Sequence, residues 1–172
     1  MEEILDAEQV AEAIDRLSQA ILNAPDRDEK VAVIGVRTRG ESLAARLVER
    51  FRAEGLDVQL GVLDITFYRD DLSRRRGVPL VRATEIDFDI DDTWLLLVDD
   101  VLNTGRSVRA ALDALHDFGR PRLIRLAVLI DRGGRELPIA ADFVGQRAIV
   151  EPGRRVQVRL KENDDAEGVY LV

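Results

Sequence analysis

Apolar positions along the chain alternate between helical and strand spacing, and the switches between the two predict its elements. Asp6 followed three residues later by Gln9 has the spacing of a capping box. Val10, Ala13, Ile14, Leu17, Ala20 and Ile21 then recur at intervals of three and four, predicting a helix to about Asn23. Residues 31–36 form a short β-branched run. Arg37-Thr38-Arg39-Gly40 interrupts it, and Leu43, Ala44, Leu47, Val48 and Phe51 restore helical spacing up to Gly55, a strand, loop and helix in succession. Further strands are expected over 58–65, 94–98 and 123–130, with an amphipathic helix between the last two that ends before Gly119. From Gln146 onward the pattern gives strands over 156–160 and 169–172, with Asn163-Asp164-Asp165 near the turn, a structural hairpin.

Near-continuous apolar strands such as Trp94-Leu95-Leu96-Leu97-Val98 suit a parallel sheet covered by helices on both faces, which makes the expected fold an open, doubly wound α/β domain. Such folds bind ligands beyond the carboxyl ends of their strands. Behind the strands lie Arg37 to Gly40, Asp64 to Asp71, Asp99 to Ser107, and Asp131-Arg132-Gly133-Gly134-Arg135-Glu136-Leu137-Pro138. The unusual polar clusters therefore collect on one rim.

Composition narrows the chemistry available there. With 172 residues, 46% hydrophobic and 34% charged, and with no repeat or linker-like tract, residues 1–172 read as a single domain. The absence of cysteine excludes thiolate catalysis and Cys-ligated metals, and a single His leaves no multi-His metal centre. The chemistry must come from carboxylates, hydroxyls, arginines and backbone amides. An acidic start, Met1-Glu2-Glu3, and no apolar run near the ~18 residues of a membrane span lead to the expectation of a cytoplasmic protein without membrane contact. A net charge of −8 argues against nucleic-acid binding by charge alone.

Residues 95–107 carry the most specific signal: a buried strand, then Asp99-Asp100-Val101-Leu102-Asn103-Thr104-Gly105-Arg106-Ser107. Successive amides at a helix start, with the Thr104 and Ser107 hydroxyls, form an anion pocket suited to a monophosphate. The adjacent carboxylates accept hydrogen bonds from a vicinal diol, so the motif fits a ribose 5-phosphate. Two other readings use the same acids: a magnesium-binding receiver domain, whose acids follow the first strand without such a phosphate loop, and a solvated strand end with a helix cap.

These residues resemble the phosphoribosyl-diphosphate (PRPP) motif of type I phosphoribosyltransferases. Over nearly the whole chain the resemblance is to one subfamily, the bifunctional pyrimidine operon attenuation regulators and uracil phosphoribosyltransferases. It is carried by Gly35 to Gly40, by Asp64-Ile65-Thr66-Phe67-Tyr68-Arg69-Asp70-Asp71-Leu72, by Asp99 to Ser107, and by Gly119-Arg120-Pro121 through Leu126 to Gly133 and Arg135 to Pro138. The fold implied is the type I phosphoribosyltransferase fold, an open, mostly parallel sheet with a hood and a C-terminal hairpin. The resemblance implies that Thr38-Arg39-Gly40 is the pyrophosphate loop, that Tyr68 to Asp71 begin a mobile loop, and that Asp131-Arg132-Gly133 belong to a hood over the base.

The implied reaction is displacement of pyrophosphate from PRPP by a uracil ring nitrogen, giving UMP. Asp99 and Asp100 would stabilise the cationic sugar, while Arg39, Arg69 and a Mg2+ held chiefly by the substrate would meet the leaving charge. The subfamily also implies a leader RNA hairpin as partner, contacted by Arg16, Arg135 and Arg147, and a homodimer or higher homo-oligomer. Three functions stay open: the uracil enzyme, an RNA-binding attenuator sensing uridine nucleotides, and a phosphoribosyltransferase for another base. The chain departs from the subfamily at Gly134, where His is usual, at Gly145-Gln146-Arg147-Ala148-Ile149-Val150, at Asp15-Arg16-Leu17-Ser18-Gln19, and at Asn103, where Tyr is common. Apart from Asn103 these departures fall outside the PRPP motif, so RNA binding is expected to be weaker than the subfamily implies.

Elsewhere simple readings suffice. His116 is expected on a helix surface and Trp94 in the core. Asp87, Asp89, Asp91 and Asp92 lack a calcium-loop pattern and read as solvated surface. Arg74-Arg75-Arg76 suits a solvated loop tip or a polyanion contact equally.

Overall fold

A computed structural model describes residues 1–70 and 83–172. The expected features on Asp71, Leu72 and Arg74 to Arg76 lie outside the described residues. The first helix, α1 (Ala7–Leu22), begins where the capping box places it: Asp6 accepts from the Gln9 amide, and the Gln9 side chain accepts from the Asp6 amide, both at 2.9 Å. Ser18 rather than Ala20 completes its buried stripe. Before it runs a short strand, β1 (Glu2–Leu5), which the acidic start had concealed.

Then follow β2 (Lys30–Val36), α2 (Arg39–Ala53) and β3 (Asp57–Leu63), then β4 (Trp94–Leu102), α3 (Arg106–His116) and β5 (Leu123–Asp131). A further strand, β6 (Phe143–Arg147), was not expected from the pattern. The five strands β3-β2-β4-β5-β6 form one sheet in that order, and every pairing is parallel. Alternation along the strands divides the core. Val31, Val33, Trp94, Leu96 and Val98 pack against α1 and α2, whereas Ala32, Ile34, Leu95 and Leu97 pack with Val108, Ala111 and Leu115 of α3. Helices thus cover both faces, as the buried strands require.

Two boundaries move in ways that matter for the site. The third expected strand does not stop at Val98: β4 continues to Leu102 because β5 pairs with it through Asp99↔Val128, Val101↔Ile130 and Leu102↔Asp131. The acids therefore sit on a strand held by its ladder, not on a free loop. The loop expected at Arg37 to Gly40 is also shorter, since α2 already begins at Arg39.

The C-terminal hairpin consists of β7 (Val156–Arg159) and β8 (Gly168–Leu171), antiparallel, with a single helical turn, α4 (Lys161–Asp164), between them. Strand β1 pairs antiparallel with β8, so the two chain ends close a separate three-stranded sheet.

Candidate active site

The chain leaves β2 through α2 toward β3 on one side, and leaves β4 through α3 toward β5 on the other. β2 and β4 are adjacent, so their carboxyl ends flank the point where the winding reverses and a crevice opens. A cavity of about 340 Å³ lies there, lined by Arg37, Thr38, Arg39, Asp64, Thr66, Asp99 and Asp100 among others. A second cavity of about 260 Å³ is lined by Asn103 to Val108 and by Asp70. Arg69, Val101 and Ser107 line both, so the two make one groove.

Close backbone packing brings the walls of this groove together. A Cβ on Gly40 would stand 2.7 Å from the Val98 carbonyl oxygen and 3.4 Å from an Asp99 carboxylate oxygen. Gly40 thus lets the first turn of α2 lie on the end of β4, a role the expected loop had not suggested. The Arg37–Thr38 peptide bond is cis.

Asp99 is only 8% exposed, whereas Asp100 is partly open. Asp99 accepts from the Asp100 amide at 2.9 Å, and Asp100 accepts from the Val101 amide at 2.8 Å. Burial, reinforced by the charge of Asp100, pushes the Asp99 carboxyl well above the ordinary aspartate range against the opposing amide bond. A cation beside the carboxylate would act against that shift. Asp64, at the end of β3, accepts from the amide and hydroxyl of Thr66 at 2.9 and 2.5 Å.

Arg39 does not stand alone in the groove. Its Nε and Nη2 donate to the two carboxylate oxygens of Asp164 at 3.0 and 2.5 Å. This partner, 125 residues away, has no local signal in the sequence. Arg37 and Asp64 were also absent from the expected site, although both follow strands on the same rim.

At the other end, Gly105 precedes α3 with a φ of +94°, a conformation natural to glycine, and the Thr104 hydroxyl accepts from the Arg106 amide at 3.2 Å. The positive end of α3 faces this cavity, the environment a phosphate prefers. The Arg106 side chain turns to the surface and pairs with Asp70 at 2.6 Å and Glu136 at 3.0 Å, so its contribution to the pocket is its backbone.

The hood is tied to the groove by charged groups. Asp131 is buried, and burial by itself would raise its carboxyl. Hydrogen bonds from Arg135 at 2.8 Å and the Gly133 amide at 3.0 Å, with the charge of Arg147, outweigh this and hold it below the usual range. Arg135 also donates to the carbonyls of Asn103 and Ile139 at 2.9 and 2.8 Å, so it joins the segment after β5 to the loop before α3. Arg132 donates to the Arg154 carbonyl at 3.0 Å, while its Nε is buried without a partner. Arg16 reaches the Gly145 carbonyl at 3.1 Å, and Arg147 is 76% exposed at the end of β6 while touching Asp131 at 3.2 Å.

His116 is exposed at the end of α3, and Asp87, Asp89, Asp91 and Asp92 are exposed as well. Trp94 is buried, its indole donating to Asp26 at 3.2 Å. Among the described residues no three His, Asp or Glu groups come together as a metal cage, and no helix is long and apolar enough to cross a membrane.

Residues 1–163 match the family described as the phosphoribosyl transferase domain. The chain is 52% identical to the bifunctional protein PyrR of Roseiflexus sp., over 99% of this chain and 94% of that protein. It is 49% identical to that of Caldicellulosiruptor bescii, over 98% and 93%. In fold it resembles a hypoxanthine-guanine phosphoribosyltransferase of Bacillus anthracis, with a TM-score of 0.74 at 18% identity, covering 100% of this chain and 98% of that one. A hypoxanthine phosphoribosyltransferase of Trypanosoma cruzi gives 0.75 at 16%, over 99% and 94%.

Proposed function

Because this chain belongs to the phosphoribosyl transferase family and to its bifunctional PyrR branch, we propose that it makes UMP and pyrophosphate from uracil and PRPP. The observation that carries this reading is the continuity of the groove: a helix-start pocket, an acid pair and an arginine-bearing turn succeed one another along it. The 5-phosphate lies against Thr104 to Ser107, the ribose hydroxyls meet Asp99 and Asp100, and the diphosphate meets Thr38, Arg39 and Arg69. Val101, Leu102 and Asn103 form the floor between them, and Asp131, Arg132 and Gly133 stand beside the base.

In the reaction the bond from the anomeric carbon to pyrophosphate breaks, a bond to a uracil nitrogen forms, and the nitrogen's proton passes to solvent or pyrophosphate. Asp99 and Asp100 stabilise the positive charge that develops on the sugar, and fixed charges of this kind act strongly where water is excluded. With no three carboxylates converging among the described residues, a Mg2+ would be held chiefly by the diphosphate and by water, with the partly open Asp100 as the carboxylate the groove offers it. When bound with PRPP, the ion supplies neutralisation of the diphosphate charge.

A second activity is favoured by one arrangement. Arg16 is bonded to β6, an edge strand, and Arg147 projects from the end of the same strand. We read this edge as the surface where a homodimer or higher homo-oligomer in the cytoplasm would meet a leader RNA hairpin. The decisive experiment for the enzyme is a product assay with PRPP, Mg2+ and each nucleobase in turn. Uracil should give UMP, and adenine, guanine and hypoxanthine little product, because unpaired polar groups at the base edge reject the wrong pattern. Efficient turnover of hypoxanthine without uracil would move the chain to another base.

A further inference from the structure

One face of α2 meets the C-terminal hairpin through three successive contacts. Arg39 forks onto Asp164, the Ser42 hydroxyl donates to Asn163 at 2.8 Å, and Arg46 pairs with Glu162 at 2.6 Å and Glu167 at 2.5 Å. Positions 39, 42 and 46 share a stripe of the helix. The contacts of Ser42 and Arg46, which do not line the groove, tie α2 to α4 and to Glu167 beyond it. The Arg39 contact differs, because Arg39 also lines the groove and lies close enough to Asp100 for that charge to help raise its pKa, after the bond to Asp164 itself.

Asp164 is itself fixed. It is 13% exposed, and its Oδ2 accepts from the Leu160 amide at 3.0 Å as well as from Arg39. The Arg39 bond, aided by that amide and by the charge of Arg159, holds its carboxyl below the ordinary range despite partial burial. A guanidinium is planar, so committing the Nε and Nη2 edge to a fixed carboxylate also sets the direction of its remaining donors.

We propose that Asp164 is a positioning residue for phosphoribosyl transfer: it sets the plane of Arg39 so that the free edge of the guanidinium meets the departing diphosphate. The hairpin then belongs to the pyrophosphate end of the active site and is more than a structural closure of the chain ends. This rests on the reading of the groove as the PRPP site. Pre-set orientation acts on the transition state more than on initial binding, since misplacing a charge by about 1 Å can cost on the order of 10²-fold in rate.

The test compares Asp164→Asn, Arg39→Ala and their double variant in the full chain, with Glu162→Gln loosening the same clasp away from the groove. The measurements are kcat, the KM for PRPP and for uracil, and Tm. Asp164→Asn should lower kcat by roughly tenfold to a hundredfold while sparing the KM for uracil. It should add nothing to Arg39→Ala, and Glu162→Gln should lower Tm without changing kinetics. Asp164→Glu, which keeps a carboxylate, should recover part of the loss and serves if the Asn variant folds poorly. The proposal is overturned if Asp164→Asn lowers Tm alone, or if its loss multiplies with that of Arg39→Ala. Should the wild-type chain make no UMP, the substrate reading fails separately. The kcat comparison with whichever nucleobase the chain does turn over then decides about Asp164 by the same non-additivity with Arg39.

Discussion

Asp99 concentrates a conflict at the scale of one residue. Its burial and the neighbouring Asp100 raise its pKa, so its ionisation works against folding. The sign follows directly. A carboxyl whose folded pKa lies above its unfolded value contributes stability that is complete below the unfolded value near 3.8 and is lost as pH rises through the folded one. Asp99→Asn removes that loss. The variant should therefore melt higher than wild type at pH 8, by ~2–4 °C for each kcal/mol recovered, and the difference should shrink toward pH 4. Its turnover should fall by about 10² to 10³, the usual consequence of removing charge aimed at a transition state. Thermal melts across pH, run beside a UMP assay, check both. A variant that melts lower at pH 8 and keeps its activity would remove Asp99 from the acid pair's role.

Elements place such residues, and here the contact between α2 and β4 is decisive. Gly40→Ala would set a methyl 2.7 Å from the Val98 carbonyl, and a rigid strand cannot yield as a flexible side chain would. The substitution should destabilise the fold by about 1–3 kcal/mol, read by urea denaturation, and should lower kcat by shifting Arg39 away from Asp164. Unchanged stability and kcat would mean that α2 has room the geometry denies. The elements themselves were largely legible because α1, α2 and the central strands have strong periodicity, and the rim followed from what succeeds each strand. What escaped had distant causes. Strand β1 exists because β8 pairs with it, with Glu2 facing Leu171. The acids at 99 and 100 read as the end of β4, yet pairing with β5 carries the strand past them. Asp164 looked like turn chemistry because its arginine lies 125 positions earlier. Such contacts leave no periodic trace in either segment.

For the whole molecule the unsettled balance is between a net charge of −8 and a polyanionic partner. Of the three arginines expected to meet the RNA, Arg135 already donates to Asp131 at 2.8 Å and to the carbonyls of Asn103 and Ile139. Arg16 and Arg147 remain at the edge of β6, and the long-range field of the acidic chain opposes them. Counterion release makes the argument quantitative. Each phosphate neutralised on single-stranded RNA contributes about −0.7 to the slope of log K against log salt, so two arginines from each protomer of a dimer predict a slope near −3. Titration of a leader hairpin from the protein's own pyrimidine operon, at several salt concentrations and with and without UMP, measures it. Binding should be weak, and Arg147→Ala should flatten the slope by roughly half, since it removes one of the two contacts each protomer offers. Arg147 also touches Asp131 in the hood, so the same variant should reduce any effect of UMP on RNA affinity. Tight binding with a slope of about −6 or steeper would require contacts that these two arginines cannot supply, and would place the RNA on another face.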